Sequence, residues 1–260
     1  MSRQPVVVGI DGSPSAGVAV RWAAAEAAAL GTRLLLVHSV APGASAAGAA
    51  DIVGDAVALA RRSEPTAAVD ARLESGAPST ILVKASSDAQ LVVIGSRGLG
   101  LMAGALLGST GLDLAANARC PVVVVHSDRG TAPTGPVVIG YDGSSAAETA
   151  LDFGLAHAHR HNLVVRVVAA QPAGTELHRI TADELRAAVR RRGGQDAELI
   201  QITGHPAEHL LRLSADANLL VIGARGRGGF AGMLIGSVSQ TVLHHADCPV
   251  AVIPAAATGG

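Results

Sequence analysis

Short runs of Val, Ile and Leu alternate along the chain with Ala-rich stretches of helical length. Runs such as LVVI and VVVV lack polar residues at alternate positions, which is typical of strands covered on both faces. The pattern predicts first-half strands over 5–11, 33–40, 67–74, 91–95 and 121–125, with helices over 14–30, 51–62, 78–88 and 109–118. Second-half strands are predicted over 136–142, 163–170, 197–202, 219–223 and 249–253. This alternation predicts an α/β fold with a parallel sheet and helices on both faces.

Helix boundaries are marked by residues that favour caps. Ser13 and Pro14 are typical of a helix start, as are His205 and Pro206, and Gly31 is typical of a helix end.

The same unit occurs twice. VVVGIDGSPS (6–15) matches VVIGYDGSSA (137–146), and ARCPVVVV (118–125) matches ADCPVAVI (246–253). We therefore expect two domains, over 1–127 and 136–255, each with one open five-stranded parallel sheet. The polar segment SDRGTAPTG at 127–135 is the predicted linker.

A glycine spacing is also repeated, after the fourth strand of each unit. Residues 93–110, VIGSRGLGLMAGALLGST, and 221–238, VIGARGRGGFAGMLIGSV, share the pattern G-x2-G-x9-G followed by serine. Glycine lets the chain leave a strand in conformations that a side chain forbids, and the start of the next helix attracts anions. The spacing predicts a phosphate-binding loop. The alternative is that the glycines only turn the chain and that Ser109 only caps its helix.

The position of this loop in a parallel sheet favours ligand binding. Ligands of open α/β sheets bind beyond the carboxyl ends of the strands, where the strand order reverses. In the order 3-2-1-4-5, the turn after strand one, Asp11–Gly12–Ser13 or Asp142–Gly143–Ser144, faces the glycine loop after strand four. Aspartate beside glycine also favours an Asx turn, so both aspartates have a structural interpretation as well.

The amino-acid composition indicates which kinds of binding partner and which compartment to expect. The net charge is −1 and only 2% of the residues are aromatic, so base-stacking side chains are rare and nucleic acid is not an expected partner. The run Arg190–Arg191–Arg192 is interpreted as the solvated end of a helix. No apolar run approaches about 20 residues, so no membrane span is expected and a cytoplasmic location is predicted. In that compartment Cys120 and Cys248 are expected to be small buried residues.

Other chemistries fit the chain less well. A Walker loop needs a glycine-lysine pair, but Lys84 follows Val83, and a dinucleotide fingerprint would follow the first strand. HPAEH at 205–209 formally matches a zinc pattern, but Pro206 places His205 at a helix cap. No G-x-S-x-G elbow of a serine hydrolase occurs.

Taken together, G-x2-G-x9-G-[S/T], V-G-x-D-G-S and C-P-V-x-V resemble the universal stress protein family in its ATP-binding branch, and the resemblance covers both repeats. It implies a sheet of order 3-2-1-4-5 in each repeat, with one ATP and a divalent metal, Mg²⁺ or Mn²⁺, on the phosphates. By resemblance, Asp11 and Asp142 would contact the adenosine, Val40 and Ala170 would pack near the adenine, and the loops would hold ribose and phosphates. The nucleotide-binding residues implied are Asp11, Gly12, Val40, Gly95, Arg97, Gly98, Gly108 and Ser109 in the first repeat, and Asp142, Gly143, Ala170, Gly223, Arg225, Gly226, Gly236 and Ser237 in the second.

Some points stay open at this stage. Arg97 and Arg225 either reach a phosphate or are solvated. Gly111 stands where the second repeat has Ser239, which predicts a looser helix start and weaker binding in the first repeat.

The favoured function is an ATP-binding regulatory protein of the stress response with slow hydrolysis at most. The alternatives are an ATP-hydrolysing enzyme, a structural module that binds no nucleotide, and a cyclic nucleotide as the ligand. The last strands are expected to pair the repeats or a homodimer.

Overall fold

The predicted strands recur in a computed structural model of the chain, which describes residues 3–40, 45–98, 107–126, 134–171, 180–227 and 234–254. The chain divides into two units, Met1–Asp128 and Arg129–Gly260. The predicted helix starts and the predicted strand order can therefore be compared with each unit separately.

Unit 1 contains five parallel strands and four α-helices in its described residues. They are β1 (Val6–Ile10), α1 (Pro14–Ala29), β2 (Leu34–Val40), α2 (Ala46–Ser63), β3 (Val69–Ser75), α3 (Pro78–Ala85), β4 (Leu91–Gly95), α4 (Ser109–Asn117) and β5 (Val122–Val125), with a 3-10 turn at Ser86–Asp88. The strands lie in the order β3-β2-β1-β4-β5, which confirms the prediction.

Unit 2 repeats this arrangement. Its elements are β6 (Val137–Gly140), α5 (Ser145–His161), β7 (Val165–Gln171), α6 (Ala182–Arg190), β8 (Glu198–Thr203), α7 (Pro206–Ser214), β9 (Leu219–Gly223), α8 (Ser237–His245) and β10 (Val250–Ile253). Its strands are parallel in the order β8-β7-β6-β9-β10. Both units therefore present the carboxyl ends of their first and fourth strands side by side.

Helix caps follow the sequence signals. Ser13 caps α1 by accepting the N–H of Ala16, and Gly31, just after the helix, has φ +60°. Pro206 opens α7 with His205 as its N-cap residue, as predicted. One predicted helix start in unit 1 differs: α2 begins at Ala46 instead of residue 51, because Ser45 caps it by accepting the N–H of Gly48. The helix predicted over 78–88 ends at Ala85 and continues as the 3-10 turn.

The core of each unit consists of aliphatic side chains on the strands and on the helix faces against them. The fully buried large side chains include Leu34, Leu36, Leu91 and Leu114 in unit 1, and Ile139, Leu151, Leu219 and Leu243 in unit 2. Alanine forms much of the helical surface that faces the sheet, which suits a chain with few aromatic residues. No helix in the ranges described above is long and apolar enough to cross a membrane.

The arginine run at the end of α6 is only partly solvated. Arg190 and Arg191 are exposed, as predicted. Arg192 differs, because its guanidinium forms ion pairs with Glu148 at 2.8 Å and Asp152 at 2.6 Å on α5. Glu148 also accepts the hydroxyl of the buried Tyr141. Burial raises the pKa of Tyr141 above its usual range, and the hydrogen bond to Glu148 raises it further. This network attaches the C-terminus of α6 to α5.

Both cysteines are buried, as predicted, and burial raises the pKa of each thiol to about 12. In the unfolded chain a thiol titrates near pH ~8.5. The unfolded state therefore loses these protons first, and the stability that the protonated thiols contribute falls as the pH rises from about 8.5 towards 12.

We expect the free energy of unfolding to decrease by up to about 1.4 kcal/mol per pH unit for each thiol above pH ~9. Urea unfolding at several alkaline pH values measures this slope. The double variant Cys120→Ala, Cys248→Ala is the control, since other groups titrate equally in both proteins. Equal slopes for the two proteins would contradict the prediction.

Candidate functional site at the strand ends

In unit 1 the turn after β1 contacts the turn after β4. These strands are paired, with Val8 opposite Val93. The hydroxyl of Ser13 donates to the carbonyl of Arg97 at 3.2 Å, and the hydroxyl of Ser15 donates to the same carbonyl. The structure thus brings together the two turns that the strand order places at the same edge.

The Asp11 carboxylate lies between these turns. Its Oδ1 accepts the N–H of Ser13 at 2.9 Å, while Gly12 adopts φ +82°. A Cβ at Gly98 would lie 2.6 Å from Oδ2 of the same carboxylate. The Asx turn proposed for Asp11 is therefore present, and Gly98 leaves room for the carboxylate.

Unit 2 has the same arrangement around its own aspartate. Oδ1 of Asp142 accepts the N–H of Ser144 at 3.0 Å, and Gly143 adopts φ +72°. Oδ2 accepts the N–H of Arg227 at 2.8 Å, which joins the carboxylate to the residue after Gly226. One aspartate side chain thus connects the turn after β6 to the glycine turn after β9.

The start of the last helix in each unit also contacts the glycine turn. The N–H of Gly108 donates to the carbonyl of Ser96 at 3.1 Å, and the N–H of Gly236 donates to the carbonyl of Ala224 at 2.8 Å. These glycines are the N-cap residues of α4 and α8. Ser109 therefore does not cap α4 but is its first residue. The N–H groups at the start of each helix lie beside the glycine turn.

Neither N-cap glycine is required by its own backbone. Gly108 has φ −76° and ψ 159°, and Gly236 has φ −73° and ψ 152°, which any residue adopts. A Cβ added at Gly236 would meet no other described atom closer than 3.5 Å. Serine, aspartate and asparagine are the favoured N-caps at such a position. The described residues thus give no packing reason for Gly236.

Comparisons with known proteins agree with this geometry. The model of the universal stress protein family matches residues 2–126 and, again, residues 134–254. The chain belongs to the universal stress protein family. It is 34% identical to the universal stress proteins Rv2623 and Rv2005c of Mycobacterium tuberculosis, and each alignment covers 95% of this chain and 95% or 96% of the relative.

A solved structure shows the same fold over the whole chain. A universal stress protein from Archaeoglobus fulgidus superposes with a TM-score of 0.76 and 18% identity, covering 98% of this chain and 99% of the other. The tandem arrangement of two universal stress protein units is thus shared with both the relatives and a known structure.

The two universal stress protein units differ at the start of the last helix. In unit 2 the hydroxyl of Ser239 donates to the carbonyl of Gly223 at 2.8 Å, which attaches α8 to the end of β9. Unit 1 has Gly111 there, and a Cβ at Gly111 would lie 2.7 Å from Cδ1 of Leu107. Unit 1 therefore lacks this hydroxyl bond between helix and strand.

The arginines predicted between the glycines have a role within the loop. The carbonyl of Arg97 accepts the serine hydroxyls described above, and its side chain is exposed. The Nε of Arg225 donates to the carbonyl of Leu234 at 3.2 Å, across the loop that leads to α8. Arg225 thus supports the loop, and phosphate binding by either arginine stays a prediction.

The residues proposed near the adenine are one position apart in the two sheets. Gly9 pairs with Val37, and Gly140 pairs with Val168. Counting from these pairs, Val40 corresponds to Gln171, and Ala170 corresponds to Ser39. Val40 is the last residue of β2, whereas Ala170 is the last but one of β7.

Two side chains beside the site were missed from the sequence. Cγ1 of Ile52, on α2, would lie 3.2 Å from a Cβ at Gly12. In unit 2 the guanidinium of Arg227 donates to the carbonyl of Gly143 at 2.9 Å. Ile52 carries no motif signal. Arg227 directly follows Gly226, and its counterpart in the first repeat is Leu99, which lies outside the described residues. The difference in charge between these two residues is visible in the sequence.

The close approach of β4 to α1 yields a stability prediction. A Cβ at Gly95 would lie 2.6 Å from the carbonyl carbon of Ser15, a backbone atom that cannot turn away. Gly95→Ala should therefore lower the free energy of unfolding by about 1–3 kcal/mol or more. In Gly54→Ala, on α2 with no described atom within 4 Å, it should rise by about 0.5–1 kcal/mol. Urea unfolding measures both, and a loss of the same size in both variants would contradict the packing argument.

Proposed function

We propose that each unit binds one ATP at the carboxyl ends of its first and fourth strands. The protein then acts as a nucleotide-binding regulator in the stress response, with slow hydrolysis at most. The adenosine lies against Asp11 or Asp142 and the end of the second strand, and the phosphates lie in the loop between the glycine turn and the next helix.

The N-cap glycine carries the proposal. Gly236 has a backbone that any residue adopts and, among the described residues, space for a Cβ, yet it provides no capping side chain for α8. A capping side chain would accept the first N–H groups of α8 and occupy the position of an anion bound there. With glycine at the N-cap, no side chain of that residue bonds the first N–H groups of the helix or fills the space beside them, so both are available to a phosphate oxygen. The same spacing and the same N-cap in unit 1 support an equivalent site.

The donors at the site suit a polyphosphate. Backbone N–H groups and the hydroxyls of Ser109 and Ser237 lie at the helix starts, and in unit 2 the guanidinium of Arg227 lies beside the first turn. The one lysine of the chain, Lys84, is on α3. Phosphate charge must therefore be neutralised in part by a divalent metal.

The site also fits a metal that keeps water and phosphate ligands. Both oxygens of Asp142 already accept backbone N–H groups, so they do not form a dedicated metal cage. Mg²⁺ is commonly held by one or two carboxylates together with substrate phosphates and water. The phosphates would hold it, with the hydroxyls of Ser109 and Ser237 as the nearest side-chain oxygens at the helix starts, and the metal would supply positive charge to the phosphates.

Extraction of the purified chain with denaturant, followed by mass spectrometry, tests the function directly. Two ATP per chain would support two binding sites with little turnover. Mainly ADP would favour an ATP-hydrolysing enzyme, and cAMP would favour a cyclic nucleotide sensor. A chain that releases no nucleotide and binds none when Mg-ATP is added would overturn the proposal.

Aspartate at the N-cap should remove binding without removing stability. In Gly236→Asp the side chain caps α8 but repels phosphate, and Gly108→Asp does the same in unit 1. Calorimetric titration with Mg-ATP should show two sites in the wild type, one in each single variant and none in the double variant. Thermal unfolding in the absence of nucleotide should occur at or above the wild-type temperature. Two sites in the double variant would exclude the N-cap from binding.

The two single variants allow the ATP affinity of each site to be measured separately. Gly108→Asp protein reports on unit 2, and Gly236→Asp protein reports on unit 1. We expect unit 2 to bind ATP more tightly, because the hydroxyl of Ser239 fixes the start of α8 and unit 1 has Gly111 there. Equal dissociation constants in the two variants would contradict this prediction.

A further inference from the structure

Arg227 lies where the two turns of unit 2 meet. Its backbone N–H donates to Oδ2 of Asp142, and its guanidinium Nη2 donates to the carbonyl of Gly143. The side chain is exposed, so the guanidinium is held beside the site without being buried in the core. A ligand between the turns would therefore meet this positive charge.

The N-terminus of α6 also borders this charge. Thr181 caps α6 in a capping box with Glu184, whose carboxylate accepts the backbone N–H of Thr181 at 2.8 Å. The N–H and hydroxyl of Thr181 lower the pKa of Glu184, and the positive charge of Arg227 lowers it further. The described hydrogen bond of the guanidinium in the free protein is thus to a neutral carbonyl, that of Gly143.

Unit 1 presents a different surface at the corresponding turn. The described atoms nearest to a Cβ at Gly12 all belong to Ile52 of α2, whereas those nearest to a Cβ at Gly143 belong to the guanidinium of Arg227. In the sequence, the residue that follows Gly98 is Leu99. Among the described residues, the side chain against this turn is therefore apolar in unit 1 and cationic in unit 2.

The chemistry of the guanidinium indicates which ligand this difference selects. A hydrogen bond from arginine to phosphate is charge-assisted and about twice as strong as a bond between neutral groups, and the planar guanidinium matches two phosphate oxygens at once. A polyphosphate in the loop would draw the side chain away from the carbonyl of Gly143. A nucleoside monophosphate has fewer charged oxygens to offer.

We propose that Arg227 makes the site of unit 2 selective for nucleoside polyphosphates by binding their terminal phosphates, whereas the site of unit 1, bordered by Ile52, discriminates less by phosphate number. This inference rests on the proposed nucleotide sites. The quantity that tests it is the ratio of the affinities for ATP and AMP at each site. Nucleotide binding alone does not test it.

The test uses the full chain with one site disabled. In Gly108→Asp protein only unit 2 binds, and the dissociation constants of Mg-ATP and AMP are measured by calorimetry with and without Arg227→Gln. The variant should weaken ATP binding by about 10-fold or more while AMP binding changes less than threefold. Arg227→Lys should retain part of the preference, since it keeps the charge but not the fork. Arg186→Gln, an exposed arginine of α6 that pairs with Asp183, is the matched control and should change neither constant.

The remaining outcomes are distinct. In Gly236→Asp protein the ratio for unit 1 should be smaller than that for unit 2. An unchanged ratio in Arg227→Gln, or equal weakening of ATP and AMP, would assign Arg227 a structural role and overturn the inference. Tighter ATP binding in Arg227→Gln would show that the guanidinium obstructs the site, which also overturns it. Absence of any nucleotide binding by the wild type would instead overturn the proposed function.

Discussion

The carboxylate that follows the first strand of each unit fixes the geometry of the candidate site. In unit 2 the two oxygens of Asp142 accept one N–H from its own turn and one from the glycine turn after β9. These turns belong to segments far apart in sequence, and the parallel pairing of β6 and β9 brings them together. Glycine at 226 follows from this, because a Cβ there would overlap the carboxylate. The aspartate therefore defines the space between the turns even before a ligand is considered.

Two kinds of glycine must be distinguished in the repeated motif. Gly95 and Gly98 have neighbours in the folded chain that explain them, namely the backbone of Ser15 and the carboxylate of Asp11. Gly236 has no such neighbour closer than 3.5 Å among the described residues, and its backbone does not require it. A spacing that contains both kinds serves the fold and, in our proposal, the ligand. In our proposal, the last glycine of the spacing serves ligand binding, whereas the earlier glycines are explained by the fold.

The sequence pattern was sufficient for the parallel sheets, the repeat and most helix starts, and the family resemblance implied the order of the strands. Uninterrupted apolar runs indicate parallel strands, and Ser13–Pro14 and His205–Pro206 have local capping chemistry that tertiary contacts did not override. The start of α2 was predicted five residues late, because its first turn is rich in alanine and glycine and has a weak periodic pattern. The ion pairs of Arg192 were missed since Glu148 and Asp152 are distant in sequence. Side chains that approach the site from other elements, such as Ile52, carry no motif and become visible only in three dimensions.

The two repeats keep the residues that shape the fold at the strand ends and differ at side chains that only border the site. Positions that join the strand ends keep their residue types, as Asp11 and Asp142 do, because any change would separate two turns at once. Side chains that only border the space between the turns differ: among the described residues Ile52 of α2 borders the first turn of unit 1, and Arg227 borders that of unit 2. A duplicated unit can in this way keep one architecture while its two sites acquire different ligand preferences. Selectivity then changes through single side chains at the edge of the site, with little effect on the packing that stabilises each unit.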